Sequence, residues 1–345
     1  MENKLNSERE YEYDFMRAFA AVAVVCIHTC ATRWRSIDVY STNWLIITIY
    51  HMLCKFSVPL FFMISGRFCL DAKRSSSAVY ITKKILRLAI AFLFWSLLYT
   101  FKRIIETDAA LDEWKILIIK FFAGEFHMWF LFVIASLYLI TPLLKPISLN
   151  EKLCKYFLVL FFIFQFLLPF LSNIPHIGMF ATEFIEKSQM KFVVGYSGYY
   201  IFGSYLSNHS LSIKKRIFCY VFGLAGTIYS IVVVIYMSHT AGKVDESLAE
   251  YLTWNVAAEA FAVYVFILQM FKDRHYKIVS AISKYSFGIY LSHPFVLWIF
   301  SWLGFMPNFI NPIVGVPIVT IAALVVSLVV SMILRKMPLL GKVVT

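Results

Sequence analysis

Apolar stretches of about twenty residues recur from one end of this 345-residue chain to the other. A helix needs about 20 predominantly apolar residues to cross the roughly 30 Å hydrocarbon core of a bilayer. The composition agrees, because 60% of the residues are hydrophobic and only 15% are charged, whereas about a quarter are charged in soluble domains. The chain is therefore predicted to be an all-α integral membrane protein.

Ten transmembrane helices are predicted, and we expect them to form one bundle in a single domain, 1–345. The first is interpreted as a retained helix, because no small-residue cleavage site follows it. The predicted spans are 14–32, 44–70, 85–104, 127–146, 154–172, 190–207, 216–238, 252–271, 285–303 and 311–334.

The net charge of +12 is arranged by side of the membrane, which argues against a nucleic-acid partner. With the N-terminus in the cytoplasm, 20 of the 32 Lys and Arg residues fall in inside segments and 9 in outside loops. This is the bias of the positive-inside rule. We therefore expect both termini to be cytoplasmic and the protein to span the inner (plasma) membrane several times.

The first span carries an arginine and a histidine eleven positions apart, in RAFAAVAVVCIH, residues 17–28. Eleven residues at 100° each turn about 1100°, within roughly 20° of three full turns. Arg17 and His28 are therefore predicted to share one helix face, about 16 Å apart along the axis. A charged side chain in the bilayer costs roughly 3 kcal/mol or more and usually faces the protein interior.

A cation at the cytoplasmic mouth and an imidazole halfway across the membrane suit a long anionic ligand. The planar fork of arginine binds phosphate, and histidine exchanges protons near neutral pH. Alone, Arg17 is better explained by snorkelling towards the interface, and a single buried His28 by a structural role. The shared face favours the ligand-binding hypothesis.

Three more histidines are predicted in the outer half of the bundle. His51 lies in span two, His127 begins span four and His293 lies in span nine. With His28, all four are expected to come close together. No helix has a paired ligand spacing such as histidines at i and i+4, so we expect no metal site.

Other residues are candidates for the walls and the mouth of a cavity. In span two, the proline is expected to kink the helix and the Ser-Gly pair to permit close approach. The cationic start of span three would form the mouth, although the positive-inside rule alone also explains it. The glutamate in span eight either assists a histidine or is structural. These candidates are Pro59, Ser65, Gly66, Lys83, Lys84, Arg87, Trp129, Glu259 and Tyr290.

Four segments in order resemble the acyltransferase family 3 membrane proteins, which include O-acetyltransferases of bacterial surface polysaccharides. They are YDFMRAFAAVAVVCIH (13–28), FSVPLFFMISG (56–66), FHMWFLFVIASLYLITPLL (126–144) and YSFGIYLSHPF (285–295). With the ten spans, the resemblance covers nearly the whole chain. Arg67 departs from the pattern, because the family commonly has an aromatic residue there.

The resemblance implies an enzyme that moves an acetyl or other small acyl group from cytoplasmic acyl-coenzyme A to a sugar hydroxyl. Acetyl-CoA would be the default donor substrate, with no permanently bound cofactor. The acceptor would be a cell-envelope glycan or its lipid-linked precursor. Arg17, with Lys83, Lys84 and Arg87, would hold coenzyme A, and His28 would be the catalytic base. His127 would join it in the catalytic site.

A secondary transporter or flippase is the main alternative, because ten helices, intramembrane ionisable residues and a kinked helix suit that class too. Against it, the chain shows no inverted repeat and Glu259 is its only deep acidic residue. A non-enzymatic envelope assembly partner is a second alternative. Transfer of a labelled acyl group from acyl-coenzyme A to a glycan would exclude both.

Overall fold

The computed structural model describes residues 10–107, 114–175, 178–188, 193–338 and 340–345, and these contain helices and turns but no strand. In chain order the helices are α1 Tyr11–Trp34, α2 Thr42–Met52, α3 Ser57–Cys69, α4 Ala78–Thr107, α5 Trp114–Ala123, α6 Trp129–Leu149, α7 Glu151–Ser172, α8 Gly178–Ser188, α9 Tyr196–Asn208, α10 Ile213–Ala241, α11 Trp254–Met270, α12 Lys277–Trp302, α13 Pro312–Leu334 and α14 Gly341–Val344. Short 3₁₀ turns, Phe126–Met128 and Ser247–Ala249, precede α6 and α11.

Eight helical segments of the described residues are long and apolar enough to cross a membrane, which confirms a multi-pass all-α membrane protein. They are Tyr11–Trp34, Thr42–Cys69, Ala78–Glu106, Phe126–Leu149, Glu151–Ser172, Ile213–Ala241, Ser247–Met270 and Pro312–Leu334. The second of these combines α2 and α3 into one crossing.

Two of the ten predicted spans take a different form. The span 190–207 corresponds to α9, which has only 13 residues; residues 190–192 lie outside the described part of the chain. Residues 285–302 of the span 285–303 belong to α12, whose 26 residues are enough for a crossing but are less apolar than the eight segments above. Ser283, Ser286 and Ser292 of α12 are buried. The count of ten and the cytoplasmic termini stay predictions.

Helix α1 is enclosed by protein and packs against α2, α3, α11, α12 and α13. Small side chains make this possible, because Ala20, Ala21 and Ala23 let neighbouring backbones approach closely. The same run of alanines and valines that suits lipid is thus used for helix–helix contact. The polar face of α1 therefore lies inside the bundle.

The second crossing is broken rather than kinked at its proline. Helix α2 ends at Met52 and α3 begins at Ser57, so Pro59 stands in the first turn of α3. A first-turn residue needs no intrahelical hydrogen-bond acceptor for its N–H, so proline is tolerated there. The interruption at residues 53–56 directly precedes the proline, on the side where a proline disturbs a helix, so the predicted disturbance of this span is found. Lys55 is buried in the break.

Glycine sets the distance between α3 and α9. A Cβ atom on Gly66 would lie 1.7 Å from the carbonyl oxygen of Tyr200, and one on Gly203 would lie 2.1 Å from that of Met63. The two backbones are therefore in direct contact at both points. Gly66 serves this packing and does not line the cavity described below.

We expect Gly66→Ala to lower the stability of the folded protein. The added methyl group meets backbone, which cannot rotate away, so the cost is at least the about 1–3 kcal/mol typical of overpacking. Thermal unfolding in detergent measures it, with Ser136→Ala on the exposed face of α6 as control. An unchanged melting temperature for Gly66→Ala would show that α3 and α9 are not in backbone contact.

Candidate functional site

A cavity of about 210 Å³ runs through the bundle from Arg17 to His28. Both residues line it, which confirms that they share one face of α1. The rest of the wall comes from α3, α4, the 3₁₀ turn before α6, α6, α12 and Tyr251 in the segment that leads into α11. The polar and aromatic residues of this central cavity include Arg17, His28, Ser65, His127, Trp129, Tyr138, Tyr251, Ser286 and Tyr290.

The guanidinium of Arg17 is held by a carboxylate of its own helix and by an aromatic ring of α3. Its Nη1 lies 3.3 Å from Oδ1 of Asp14, one turn earlier in α1. The same Oδ1 accepts a hydrogen bond of 2.7 Å from Oγ of Ser283 in α12. The guanidinium carbon lies 4.6 Å from the ring centre of Phe68 in α3. These contacts fix the cation at one end of the cavity while the guanidinium still lines it.

Three histidine rings meet at the other end. The ring centres of His28 and His293 are 5.0 Å apart, those of His127 and His293 are 5.9 Å apart, and those of His28 and His127 are 6.4 Å apart. They come from α1, from the 3₁₀ turn before α6 and from α12. His127 lines the cavity with His28, whereas His293 lies behind them and is fully buried.

Several nitrogens of this histidine cluster have no hydrogen-bond partner within the described part of the chain. They are Nδ1 of His28, both ring nitrogens of His127 and Nε2 of His293. Nδ1 of His293 lies 3.0 Å from the carbonyl oxygen of Ile289, so it donates and Nε2 is the free acceptor of the neutral ring. Buried polar groups without partners are uncommon and often mark function.

Two tyrosines contact His127, one through its backbone and one through its ring. The hydroxyl of Tyr290 donates to the carbonyl oxygen of His127. The hydroxyl of Tyr99 donates to the carbonyl oxygen of Leu291 at 2.8 Å, and its ring centre lies 5.2 Å from that of His127. Glu125 caps the 3₁₀ turn. The turn thus buries His127 at the start of a transmembrane helix, where the sequence alone predicts an interfacial position.

The fourth histidine does not join the cluster. His51 lies against Trp34, with ring centres 4.1 Å apart, and its Nε2 is 4.0 Å from Oε2 of Glu246. Glu246 also contacts Arg35 Nη2 at 2.7 Å and Lys55 Nζ at 2.5 Å. The expected gathering of four histidines is therefore wrong for His51, which belongs to an ion-pair network.

Sequence reasoning missed Lys55 and Tyr251, which connect that network to the cavity. The ammonium of Lys55 lies 5.0 Å from the ring centre of Tyr251. The Tyr251 ring stacks on Trp129 with centres 5.9 Å apart, and both rings line the cavity. A lysine inside an apolar segment was the available signal. Nothing in the sequence near Tyr251 points to the site.

Glu259, from α11, stands apart from the cavity wall. It is only 5% exposed, and its Oε2 has no hydrogen-bond partner among the described residues. Pro59 is likewise buried in the packing of α3 and does not reach the cavity. Ser65 and Tyr290, by contrast, do line it.

The cationic start of α4 lies beside the Arg17 end of the cavity. The ammonium of Lys84 lies 4.7 Å from the ring centre of Tyr138, and the guanidinium of Arg87 lies 5.6 Å from that of Phe287. Both rings line the cavity. Lys83 is exposed and does not contribute to the cavity wall.

Arg67, which departs from the family pattern, is held in ion pairs at the same end. It contacts Glu10 and Asp71, each at 2.6 Å. Partial burial acts to raise the pKa of Asp71, but the backbone N–H of Lys73 and the guanidinium of Arg67 outweigh it and lower that pKa. Arg67 therefore closes the start of α1 against the end of α3 and does not line the cavity.

Within the residues that the structure describes, no group of three or more His, Cys, Asp or Glu side chains has the arrangement of a metal site. The histidine cluster is thus described by its ring contacts alone.

Comparisons with known proteins agree with the resemblance seen in the sequence. A family model described as an acyltransferase domain matches residues 10–334. A "probable poly-beta-1,6-N-acetyl-D-glucosamine export protein" of Staphylococcus aureus (strain MSSA476) is 22% identical over 299 residues, 83% of this chain and 82% of the relative. A protein of the same name from Staphylococcus epidermidis is 22% identical over 343 residues, 95% and 92% of the two chains. No solved structure matches.

Proposed function

The chain belongs to the acyltransferase domain family, and from this membership we propose that it moves an acetyl or other small acyl group from acyl-coenzyme A to a hydroxyl of a cell-envelope glycan or its lipid-linked precursor. The described residues form the helix bundle and its connections, and they include no separate soluble domain that could carry out the chemistry. The reaction is therefore assigned to the central cavity.

The observation that carries the proposal is that the two ends of this cavity differ: one end is lined by a cation and the other by histidines. Arg17 stands at one end and His28 at the other, about 16 Å apart for eleven residues of helix. Lys84 and Arg87 add positive charge beside Arg17. Phosphates of coenzyme A at the cationic end would place the thioester beside the histidine cluster.

The size of the cavity supports this orientation of the donor. Sites for drug-sized ligands have volumes of about 300–1,000 Å³, whereas this cavity has about 210 Å³. It suits a slender chain, such as the thiol-bearing arm of coenzyme A, better than a whole nucleotide. The nucleotide would stay at the Arg17 end, where arginine's planar fork favours phosphate.

In the proposed reaction, His28 acts as general base. It takes the proton from the acceptor hydroxyl while that oxygen attacks the thioester carbonyl carbon. The new C–O bond forms, the C–S bond breaks, and the imidazolium of His28 returns the proton to the departing thiolate. No other reactant is needed. Base catalysis of this kind contributes typically 10²–10⁴-fold, and His127 stands on the same wall to contact the reacting groups.

His293 is proposed to position His28 rather than to touch substrate. Two imidazoles joined by one N–H···N hydrogen bond have ring centres about 5 Å apart, and these two are 5.0 Å apart with a 41° tilt. Because Ile289 fixes Nδ1 of His293 as a donor, its Nε2 is able to accept from Nδ1–H of His28 after a small ring rotation. That tautomer leaves Nε2 of His28 unprotonated, as a base requires.

The names of the relatives support a glycan acceptor and supply a probe. A tetrasaccharide of β-1,6-linked N-acetylglucosamine presents the free hydroxyls that the reaction requires. The same names include the word export, so transport of a glycan is the second candidate function. Appearance of a labelled acyl group on the tetrasaccharide separates the two, because transport alone forms no ester.

We expect His28→Ala to lower acyl transfer from labelled acetyl-CoA or succinyl-CoA to the tetrasaccharide by about 10²–10⁴-fold, because the base is lost. His239→Ala is the matched control, since this histidine lies at the end of α10 and hydrogen-bonds to Val39. Turnover by His28→Ala close to that of wild type would exclude His28 as the base.

We expect Arg17→Ala to raise the KM for acyl-coenzyme A by roughly 10–100-fold, the loss of about 1.5–3 kcal/mol for a hydrogen bond to a charged group. Arg216→Ala is the control, because this arginine begins another transmembrane helix and contacts Gln269. If Arg17→Ala changed the KM of the acceptor alone, the donor would not lie at the Arg17 end.

For His293, the matched pair is His293→Gln and His293→Leu. Glutamine keeps an acceptor near the position of Nε2 and should hold kcat within about tenfold of wild type, whereas leucine should lower kcat by roughly 10–100-fold with both KM values unchanged. Nitrogen NMR of labelled His28 should show the Nδ1–H tautomer in wild type and its loss in His293→Leu. Equal kcat for the two variants would contradict a positioning role.

A further inference from the structure

A second recess, of about 620 Å³, lies between the end of α7, the middle of α10 and the segment that leads into α11. We call it the distal recess, because it lies at the opposite end of the bundle from Arg17. Gln165, Phe170, Asn173, Tyr229, Trp254 and Asn255 are among the residues that line it. None of these belongs to the central cavity.

The lining combines aromatic faces with neutral polar groups. The Trp254 ring centre is 5.0 Å from that of Tyr229 and 6.2 Å from that of Phe170. Amides and hydroxyls complete the wall, and none of its described lining residues is charged. Such a surface offers donors, acceptors and apolar faces together. That chemistry fits a neutral sugar and is unfavourable for a phosphate or a carboxylate.

Asn255 provides an independent sign of a ligand. Its side chain is fully buried, and Nδ2 donates to Oγ of Ser230 at 2.7 Å and to the carbonyl oxygen of Leu248 at 3.2 Å. Its Oδ1 has no partner among the residues that the structure describes. A buried acceptor without a donor is costly, and a ligand hydroxyl would supply the donor.

The wall of the recess is also locally irregular. Residues Phe162–Leu167 form a π-helical turn within α7, and such turns are frequent at functional sites. The turn carries Gln165, whose Oε1 accepts from the backbone N–H of Gly195 at 2.7 Å and whose Nε2 donates to the carbonyl oxygen of Leu252 at 2.9 Å. One side chain thus joins α7, the start of α9 and the segment before α11.

The distal recess and the central cavity share one stretch of backbone. Tyr251 lines the cavity, and the next two residues, Leu252 and Thr253, line the recess. The hydroxyl of Tyr199 donates to the carbonyl oxygen of Tyr251 at 2.6 Å and holds this stretch in place. A chain of sugars that enters the cavity beside Tyr251 therefore has the recess next to it.

We propose that the distal recess binds neutral sugar units of the acceptor glycan, next to the unit whose hydroxyl is acylated. This inference rests on the proposed acyl transfer to a glycan. An apolar groove adjoins the recess and shares Phe166, Phe170 and Trp254 with it. A bilayer lipid is the competing occupant, and the experiment separates the two.

The first arm measures binding of the tetrasaccharide to the full-length protein in phosphatidylglycerol nanodiscs, without acyl-coenzyme A. Trp254→Leu should raise the dissociation constant of the tetrasaccharide at least tenfold. Phe222→Leu is the matched control, because Phe222 lies in the apolar groove with its ring centre 5.6 Å from Trp254. Melting temperatures confirm folding, and Asn173→Ala at the exposed rim replaces Trp254→Leu if that variant unfolds.

Wild-type protein that does not bind the tetrasaccharide at millimolar concentration would overturn the inference. If Phe222→Leu and Trp254→Leu weakened tetrasaccharide binding equally and both lost a co-purified lipid, the inference would be overturned and the recess would be a lipid site only. Binding that Trp254→Leu or Asn173→Ala leaves intact would place the sugar elsewhere.

The second arm compares kcat/KM for the tetrasaccharide and for N-acetylglucosamine. Wild type should favour the longer acceptor by at least tenfold, and Trp254→Leu should remove this preference without changing transfer to the monosaccharide. Binding without acyl transfer to either acceptor would refute the proposed function and leave the recess as a glycan site. If wild type and Trp254→Leu showed the same preference for the tetrasaccharide, the recess would not be a glycan site, while the proposed acyl transfer would stand.

Discussion

The architecture depends on one constraint: the polar face of α1 has to be hidden from lipid. A charge exposed at the bilayer centre costs roughly 3 kcal/mol or more, and ionisable residues of membrane segments usually face the protein interior, as Arg17 and His28 do here. Five helices pack around α1, and the small residues of α1 let them approach. The cavity is the space that remains between these helices, with one ionisable residue of α1 at each end.

Helix periodicity made part of this site predictable from the sequence. An eleven-residue interval fixes two side chains on one face whatever surrounds them, so the relation of Arg17 to His28 needs no tertiary information. His127 and His293 were found because a histidine in an apolar segment is conspicuous. To predict that they lie near His28, the direction in which each span crosses the membrane was also needed, and the positive-inside rule supplied it.

Other parts of the site depend on contacts between distant segments. Lys55 and Glu246 are 191 residues apart, and no sequence pattern near either residue predicts that they form an ion pair. The same pair explains why His51 leaves the histidine cluster. Helix α9 is shorter than the predicted span 190–207, and its tyrosines and small residues face protein on most sides; Ser197, Tyr199, Tyr200 and Gly203 are all buried. A short buried helix and the inner part of a long crossing look alike in sequence.

The segment from Glu246 to Asn255 has an unusual genetic consequence. Connections between helices are ordinarily where chains accept insertions and deletions, because little depends on their backbone. In this connection, Glu246 holds three basic side chains, Tyr251 forms part of one cavity and Asn255 part of another. A single inserted or deleted residue would shift all three at once. A change in the length of this connector therefore affects several parts of the molecule, and its length should be under stronger purifying selection than its sequence.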